Sequence, residues 1–135
     1  MDVPGLIISS SYPILGTSHD DIVDCSICGP FLIEIKCMFS HQRFHPSSAL
    51  LALTICEKNG DELEITKQHK YNYQIQGQMG ITGIKKCVLI GFTNKGIFPV
   101  NVNFNEDMWD KMKATLAKFY EQHYLPVLLR RNNLR

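Results

Sequence analysis

Phe31-Leu32-Ile33-Glu34-Ile35-Lys36-Cys37 is the stretch on which the fold of this chain turns, with Gly29-Pro30 just ahead of it as a turn signal. Bulky and β-branched apolar residues dominate the run, which reads as a strand. Successive side chains of a strand alternate between its faces, so Glu34 and Lys36 project together and Ile33 and Ile35 project the other way. A carboxylate and an ammonium on the inner side of a strand this apolar need partners or a purpose, because burying an unpaired charge is costly.

Upstream, Asp24 to Pro30 reads as the hairpin loop that joins this strand to an earlier one. Ile14 to Val23 is a strand-like run interrupted by polar residues, with the adjacent acids Asp20 and Asp21, and Leu6 to Ser10 is a short apolar-then-polar run. Across one hairpin, Asp20 can come opposite Glu34. Two carboxylates and one backbone carbonyl make a hard oxygen site suited to Mg²⁺ or Mn²⁺. A lysine beside it can orient or help deprotonate a water and steady charge developing on a phosphate. An acid-x-Lys pair on a strand is more commonly the pattern of a solvated face, and spacing alone leaves both readings open.

Downstream, His41 to Ser48 reads as a loop, with Ser47 or Ser48 as N-cap of a helix from Ala49 to Glu57. Asn59-Gly60-Asp61 is a turn, and Leu63 to Ile65 is too brief to assign. Tyr71, Ile75 and Met79 recur on one helical face in a glutamine-rich run that Gly80 and Gly83 close. Cys87 to Phe92 has the pattern of a buried strand. After the turn at Asn94-Lys95-Gly96, Ile97 to Phe104 alternates, with Phe98, Val100, Val102 and Phe104 on one face. Asn105 is suited to cap a last helix, and Glu106 and Asp107 suit its positive end. Trp109, Met112, Leu116 and Phe119 give that helix an apolar stripe expected to be core, with Pro126 expected to end regular helix. Strands and helices in this order predict an α/β (α+β) chain, a mixed central sheet flanked by helices.

The 135 residues, 44% apolar and 20% charged, predict a single ordered domain over residues 1–135. No apolar run approaches the ~20 residues that span a bilayer, so no membrane is expected as partner. The first residues lack a basic segment followed by an apolar one, so no secretory signal is read. The net charge of +1 does not announce a nucleic-acid binder, although it does not exclude a basic face. Arg130, Arg131 and Arg135 read as a solvated tail. Five cysteines, an odd number, fit a reducing interior, nuclear or cytoplasmic, rather than secretion. Cys25-Ser26-Ile27-Cys28 is a CxxC, but zinc would need further ligands at suitable spacing. Two thiols in a hairpin turn is the plainer reading.

Four segments in order carry a family resemblance. They are Leu15-Gly16-Thr17-Ser18-His19-Asp20-Asp21-Ile22-Val23; Cys28-Gly29; Ile33-Glu34-Ile35-Lys36-Cys37; and Tyr71-Asn72-Tyr73-Gln74-Ile75-Gln76-Gly77-Gln78-Met79. Together they resemble the YqaJ-type viral recombinase family, which is similar to the lambda exonuclease branch of PD-(D/E)XK nucleases. The closing stretch from Trp109 to Pro126 resembles the family's terminal helix, so the likeness runs from about Gly5 to Leu128. The resemblance implies a PD-(D/E)XK core with Asp20 and Glu34 as metal ligands and Ile35 lending its carbonyl. It implies Lys36 as the catalytic lysine and Gln74 as the helix glutamine that orients substrate or water. Tyr71 and Ser18 take the places of DNA-facing residues. His19, Asp21 and Met38 depart from the family's usual proline, glycine and proline, and none of them removes an implied ligand. A helix that related nucleases place before the first strand has no counterpart here, which implies either a piece of a longer protein or one that does without it.

The expected function is therefore a metal-dependent deoxyribonuclease of exonuclease or recombination type, with Mg²⁺ or Mn²⁺ as cofactor and DNA as partner. The alternative is a weak or inactive DNA-binding module that keeps the fold. Oligomeric state is not legible. Glu34→Ala is expected to abolish metal binding and leave the fold intact or steadier, since it removes like-charge repulsion with Asp20.

Overall fold

In the computed structural model, the central strand β4 (Gly29–Cys37) is paired on both sides, antiparallel to β3 (Asp21–Cys25) and parallel to β7 (Lys86–Thr93). A hairpin at Asn94-Lys95 adds β8 (Gly96–Asn103) antiparallel to β7, which completes a mixed sheet in the order β3-β4-β7-β8. The structure describes residues 7–8, 16–17 and 21–133, with side chains from Ile22 to Arg131. Ser18 and Asp20 lie outside the described residues. Two short pairs accompany the sheet: β1 (Ile7–Ile8) with β2 (Gly16–Thr17), and β5 (Cys56–Asn59) with β6 (Glu62–Ile65).

The register lines up the inner face in rows: Leu32 with Cys87 and Val102, Glu34 with Leu89 and Val100, Lys36 with Gly91 and Phe98. Helices α1 (Pro46–Ala52) and α2 (Lys70–Thr82) supply Ala49, Leu50, Ile75 and Met79 to the same core. Leu50 and Met38 close over Gly91, where an added Cβ would sit 3.0 Å from each. Burying a side chain of this size contributes ~1.5–3 kcal/mol. The opposite face carries Ile35, Phe92 and Ile97, all well exposed. Met38 donates its N–H to the Phe92 carbonyl at 3.1 Å, a bond that extends the β4–β7 ladder and that proline cannot make.

Four expectations need correction. The first helix is capped by His45, not Ser47 or Ser48, its ring accepting from the Ser47 N–H. That helix ends at Ala52 rather than Glu57, because Thr54 takes a left-handed φ of 56° and turns the chain into β5. No glycine or proline marks that reversal. Gly80 does not close α2 but lies inside it, and only Gly83, at φ 76°, serves as the left-handed cap. Pro126 does not end the last helix. After α3 (Glu106–Phe119), a π-type turn at Tyr120–Tyr124 bonds the Leu125 N–H back to the Tyr120 carbonyl. The wider turn seats Pro126, which has no N–H to donate, in the first turn of α4 (Leu125–Asn133).

Candidate active site

Glu34 is 4% exposed on the inner face of β4, and α2 lies across it. On a helix, residues spaced by three and four share a face. Gln74 and Gln78 are so spaced, and both amides reach the carboxylate. Gln74 Nε2 donates to Glu34 Oε1 at 3.0 Å, and Gln78 Nε2 donates to Glu34 Oε2 at 3.1 Å. Lys36, two residues along the same face, sets its ammonium 3.1 Å from Glu34 Oε1 and donates to Gln74 Oε1 at 3.0 Å. The result is a closed ring of carboxylate, ammonium and amide, satisfied by charge-assisted hydrogen bonds. Tyr71, one turn ahead of Gln74, places its ring under Lys36 Nζ at 4.3 Å, with the Lys70 ammonium 5.5 Å from the same ring.

Helix α2 is held to the rest of the fold by its other glutamine. Gln76 is buried; its amide donates to the Asn103 carbonyl at 3.0 Å and to Asn72 Oδ1 at 3.2 Å, and its oxygen accepts the Asn105 N–H at 2.8 Å. This ties α2 to the link between β8 and α3, and so fixes where Gln74 and Gln78 point. His69 caps the head of α2, its ring accepting the Tyr71 N–H at 3.0 Å. At the packing seam with α3, the Trp109 indole packs against Gly80, where an added Cβ would run into the ring.

Glu34, Lys36, Gln74 and Tyr71 are therefore brought together. Asp20 and Ser18 fall outside the described residues. The described β3–β4 pairing ends at Asp21 opposite Ile33. In sequence Asp20 is the next residue, as Glu34 is the next after Ile33. Gln78 was not singled out as a partner of Glu34. Its signal is the four-residue spacing from Gln74. Among the described residues, no group of three or more His, Cys, Asp or Glu gathers as a metal cluster.

Residues 1–85 match the model of the YqaJ-like viral recombinase domain. The chain belongs to this family. No curated protein matches the recombinase-like chain. Two solved structures of an alkaline exonuclease from Laribacter hongkongensis share its fold. One superposes with a TM-score of 0.66 at 18% identity, over 96% of this chain and 60% of that one. The other, a complex of that exonuclease with dAMP, gives 0.67 at 18% identity, over 98% and 60%. The recombinase-family chain thus spans about 60% of the length of the exonuclease it superposes on. The expected mixed α+β architecture is the one observed, and its fold is shared with that alkaline exonuclease.

A groove of about 660 Å³ between α2 and α3 is bordered by Lys67, Tyr73, Met108, Lys111 and Met112, and none of the site residues lines it. Among the described residues, no helix is long and apolar enough to cross a membrane.

Proposed function

We propose that this chain carries the core of a metal-dependent deoxyribonuclease of exonuclease type, built on Glu34 and Lys36 and forming one domain over residues 1–135. The observation that carries the reading is a buried carboxylate beside an ammonium on the central strand, both held by amides from one helix. A solvated strand face would not bury Glu34 or spend two glutamines on it. The family and the exonuclease fold support the same reaction class.

The donor chemistry fits a hard divalent cation, Mg²⁺ or Mn²⁺. Glu34 Oε1 already takes two donors, so Oε2, which accepts from Gln78, is the oxygen with capacity for a cation. Asp20 would supply the second carboxylate and Ile35 its backbone carbonyl. Such a cation, when bound, neutralises phosphate oxygens and lowers the pKa of a coordinated water. Lys36 positions a water or steadies charge on the phosphate. Gln74 holds Lys36 and Glu34 in register. Tyr71, Lys70 and Ser18 meet the DNA, the ring offering a stacking face and Lys70 a phosphate contact.

The test is cleavage of end-labelled linear duplex with Mg²⁺ or Mn²⁺, comparing the wild-type chain with Lys36→Ala. The expected outcome is release of nucleotides that needs the cation and falls by ~10²-fold or more in the variant, the scale of a lost proton-transfer or charge-stabilising group. A wild-type chain that retains DNA but cleaves none, with either cation, sinks the nuclease reading and leaves the DNA-binding module.

A further inference from the structure

The β3–β4 hairpin carries a feature that the nuclease chemistry does not use. Cys25 closes β3, Gly29 opens β4 directly opposite, and Ser26-Ile27-Cys28 form the turn between them. Gly29 adopts φ 81°, the left-handed conformation that lets so short a turn close. Cys25 and Cys28 are residues i and i+3 of this turn, which keeps their Cα atoms within about 7 Å, and a disulfide spans ~4.4–6.8 Å. The Cys28 N–H donates to Cys25 Sγ at 3.2 Å, so the sulfur is folded back onto its partner's backbone. Cys28 is exposed, Cys25 half-buried, and Ile27 at the tip is 95% exposed, so solutes reach both thiols.

We propose that Cys25 and Cys28 form a reversible dithiol–disulfide site that exchanges with low-molecular-weight disulfides such as oxidised glutathione.

The two cysteines have distinct roles. Hydrogen bonds from Cys28 and from the backbone N–H groups of Cys28 and Ile27 lower the Cys25 thiol below its ordinary value, whereas the bond to Cys25, with burial, raises that of Cys28. Cys25 is then the attacking sulfur, because the thiolate is the nucleophile. Its thiolate attacks one sulfur of the small disulfide, the S–S bond breaks, and one small thiolate leaves and takes a proton. This forms a mixed disulfide on Cys25. Cys28 loses its proton and attacks Cys25 Sγ, expelling the second small thiol. The net exchange is protein dithiol plus one disulfide giving protein disulfide plus two small thiols, a two-electron transfer that balances without a further reactant. In a reducing interior, transient sites of this kind are the ordinary use of a protein disulfide. Cys37 is also exposed but has no cysteine three residues away, so it provides the internal contrast.

The experiment equilibrates the full chain in glutathione buffers of increasing oxidation, quenches with acid, blocks free thiols, and maps peptides by mass spectrometry. The expected result is a Cys25–Cys28 peptide lighter by two hydrogens that returns to the dithiol on reduction, while Cys37 carries a single glutathione. In Cys28→Ser, exchange stops at one glutathione on Cys25; circular dichroism confirms that this exposed turn position leaves the fold unchanged. Separate glutathione adducts on Cys25 and Cys28 with no bridged peptide overturn the proposal. So does a bridged peptide that strong thiol reductant does not reopen. Stoichiometric Zn²⁺ uptake by the reduced chain that blocks exchange would also overturn it, in favour of a thiolate metal site.

Discussion

Helices α2 and α3 invert what their sequences suggest about burial. Helix α2 is glutamine-rich, yet Asn72, Ile75, Gln76, Gln78 and Met79 are all buried. Helix α3 and its continuation carry the stronger apolar stripe, yet Leu116, Phe119, Tyr124, Val127 and Leu129 are exposed. Only the first turns of α3 are core, where Met108 and Trp109 pack against α2. The difference lies in partners. Helix α2 crosses the inner face of a sheet that offers a carboxylate, and each of its buried amides finds an acceptor. Helix α3 has α2 as its partner, and beyond Trp109 none of its side chains is buried.

The sharpest break in this comparison comes at Trp109. Trp109→Ala should cost ~3–5 kcal/mol, the range for losing a large buried aromatic. The expected outcome is a lowered melting temperature with cation affinity unchanged in the folded fraction, read by calorimetry and Mn²⁺ titration. A cost under about 1 kcal/mol would mean that the seam on Gly80 contributes little.

Glu34→Ala tests the polar half of the same comparison. The hydrogen bonds reverse the expectation that this change steadies the fold. Removing the carboxylate takes an acceptor from the amide of buried Gln78, from Gln74 and from the Lys36 ammonium. Leaving such groups without that acceptor costs ~1–3 kcal/mol. Denaturant unfolding should show that loss together with loss of Mn²⁺ binding. A variant as stable as wild type would show that Glu34 contributes no net stability through these bonds.

Phe119→Ala is expected to do little. The stripe pattern predicts a core residue, but the ring is 57% exposed and faces the His123 ring at 5.5 Å. A change at so exposed a position should stay within about 0.5 kcal/mol. A melting temperature lowered as far as in the Trp109 variant would mean that the ring is covered in solution.

The legible parts of the molecule are those in which one residue type has one physical use. The alternation in β4 and β8 and the Asn94-Lys95-Gly96 turn follow from local geometry, as does the Asn105 cap, whose side chain accepts the Met108 N–H at 3.1 Å. That Glu34 and Lys36 stand together was legible from strand alternation, whereas the place of Gln74 beside them was legible only through the family resemblance. Gln78 was harder, because a glutamine declares neither a face nor a partner until the opposite strand is in place. The turn of the β5–β6 hairpin was legible at Asn59-Gly60-Asp61, but strand β5 was hidden because Thr54 turns the chain out of α1, and a β-branched residue is the poorest signal of a left-handed backbone. The exposure of Leu116 and Phe119 runs against the stripe pattern because a hydrophobic stripe states that a helix can be buried, not that something lies against it.

A further small effect, visible only as pH is lowered, concerns the cap that starts α2. The His69 ring accepts the Tyr71 N–H through Nδ1, so it does so only while that nitrogen is unprotonated. Burial, and then the neighbouring Lys70 charge, lower its pKa below the ordinary 6.5. In the unfolded chain the ring protonates near pH ~6.5. The neutral form is therefore the one the fold prefers. The stability it contributes is fully present above that pH and is lost as pH falls through the lower folded value. Below it, a protonated ring has lost its acceptor and sets a positive charge at the positive end of the helix. His69→Asn keeps a capping oxygen and removes the titration. The stability of wild type, read by denaturant unfolding, should therefore fall relative to the variant as pH is lowered from 7 to about 5, by less than the ~1 kcal/mol of a whole cap. Because His19, His41, His45 and His123 are present in both proteins, the difference between the two curves isolates His69. Parallel curves across that interval would show that the ring does not cap α2, and that the helix presenting Gln74 and Gln78 to Glu34 starts on other contacts.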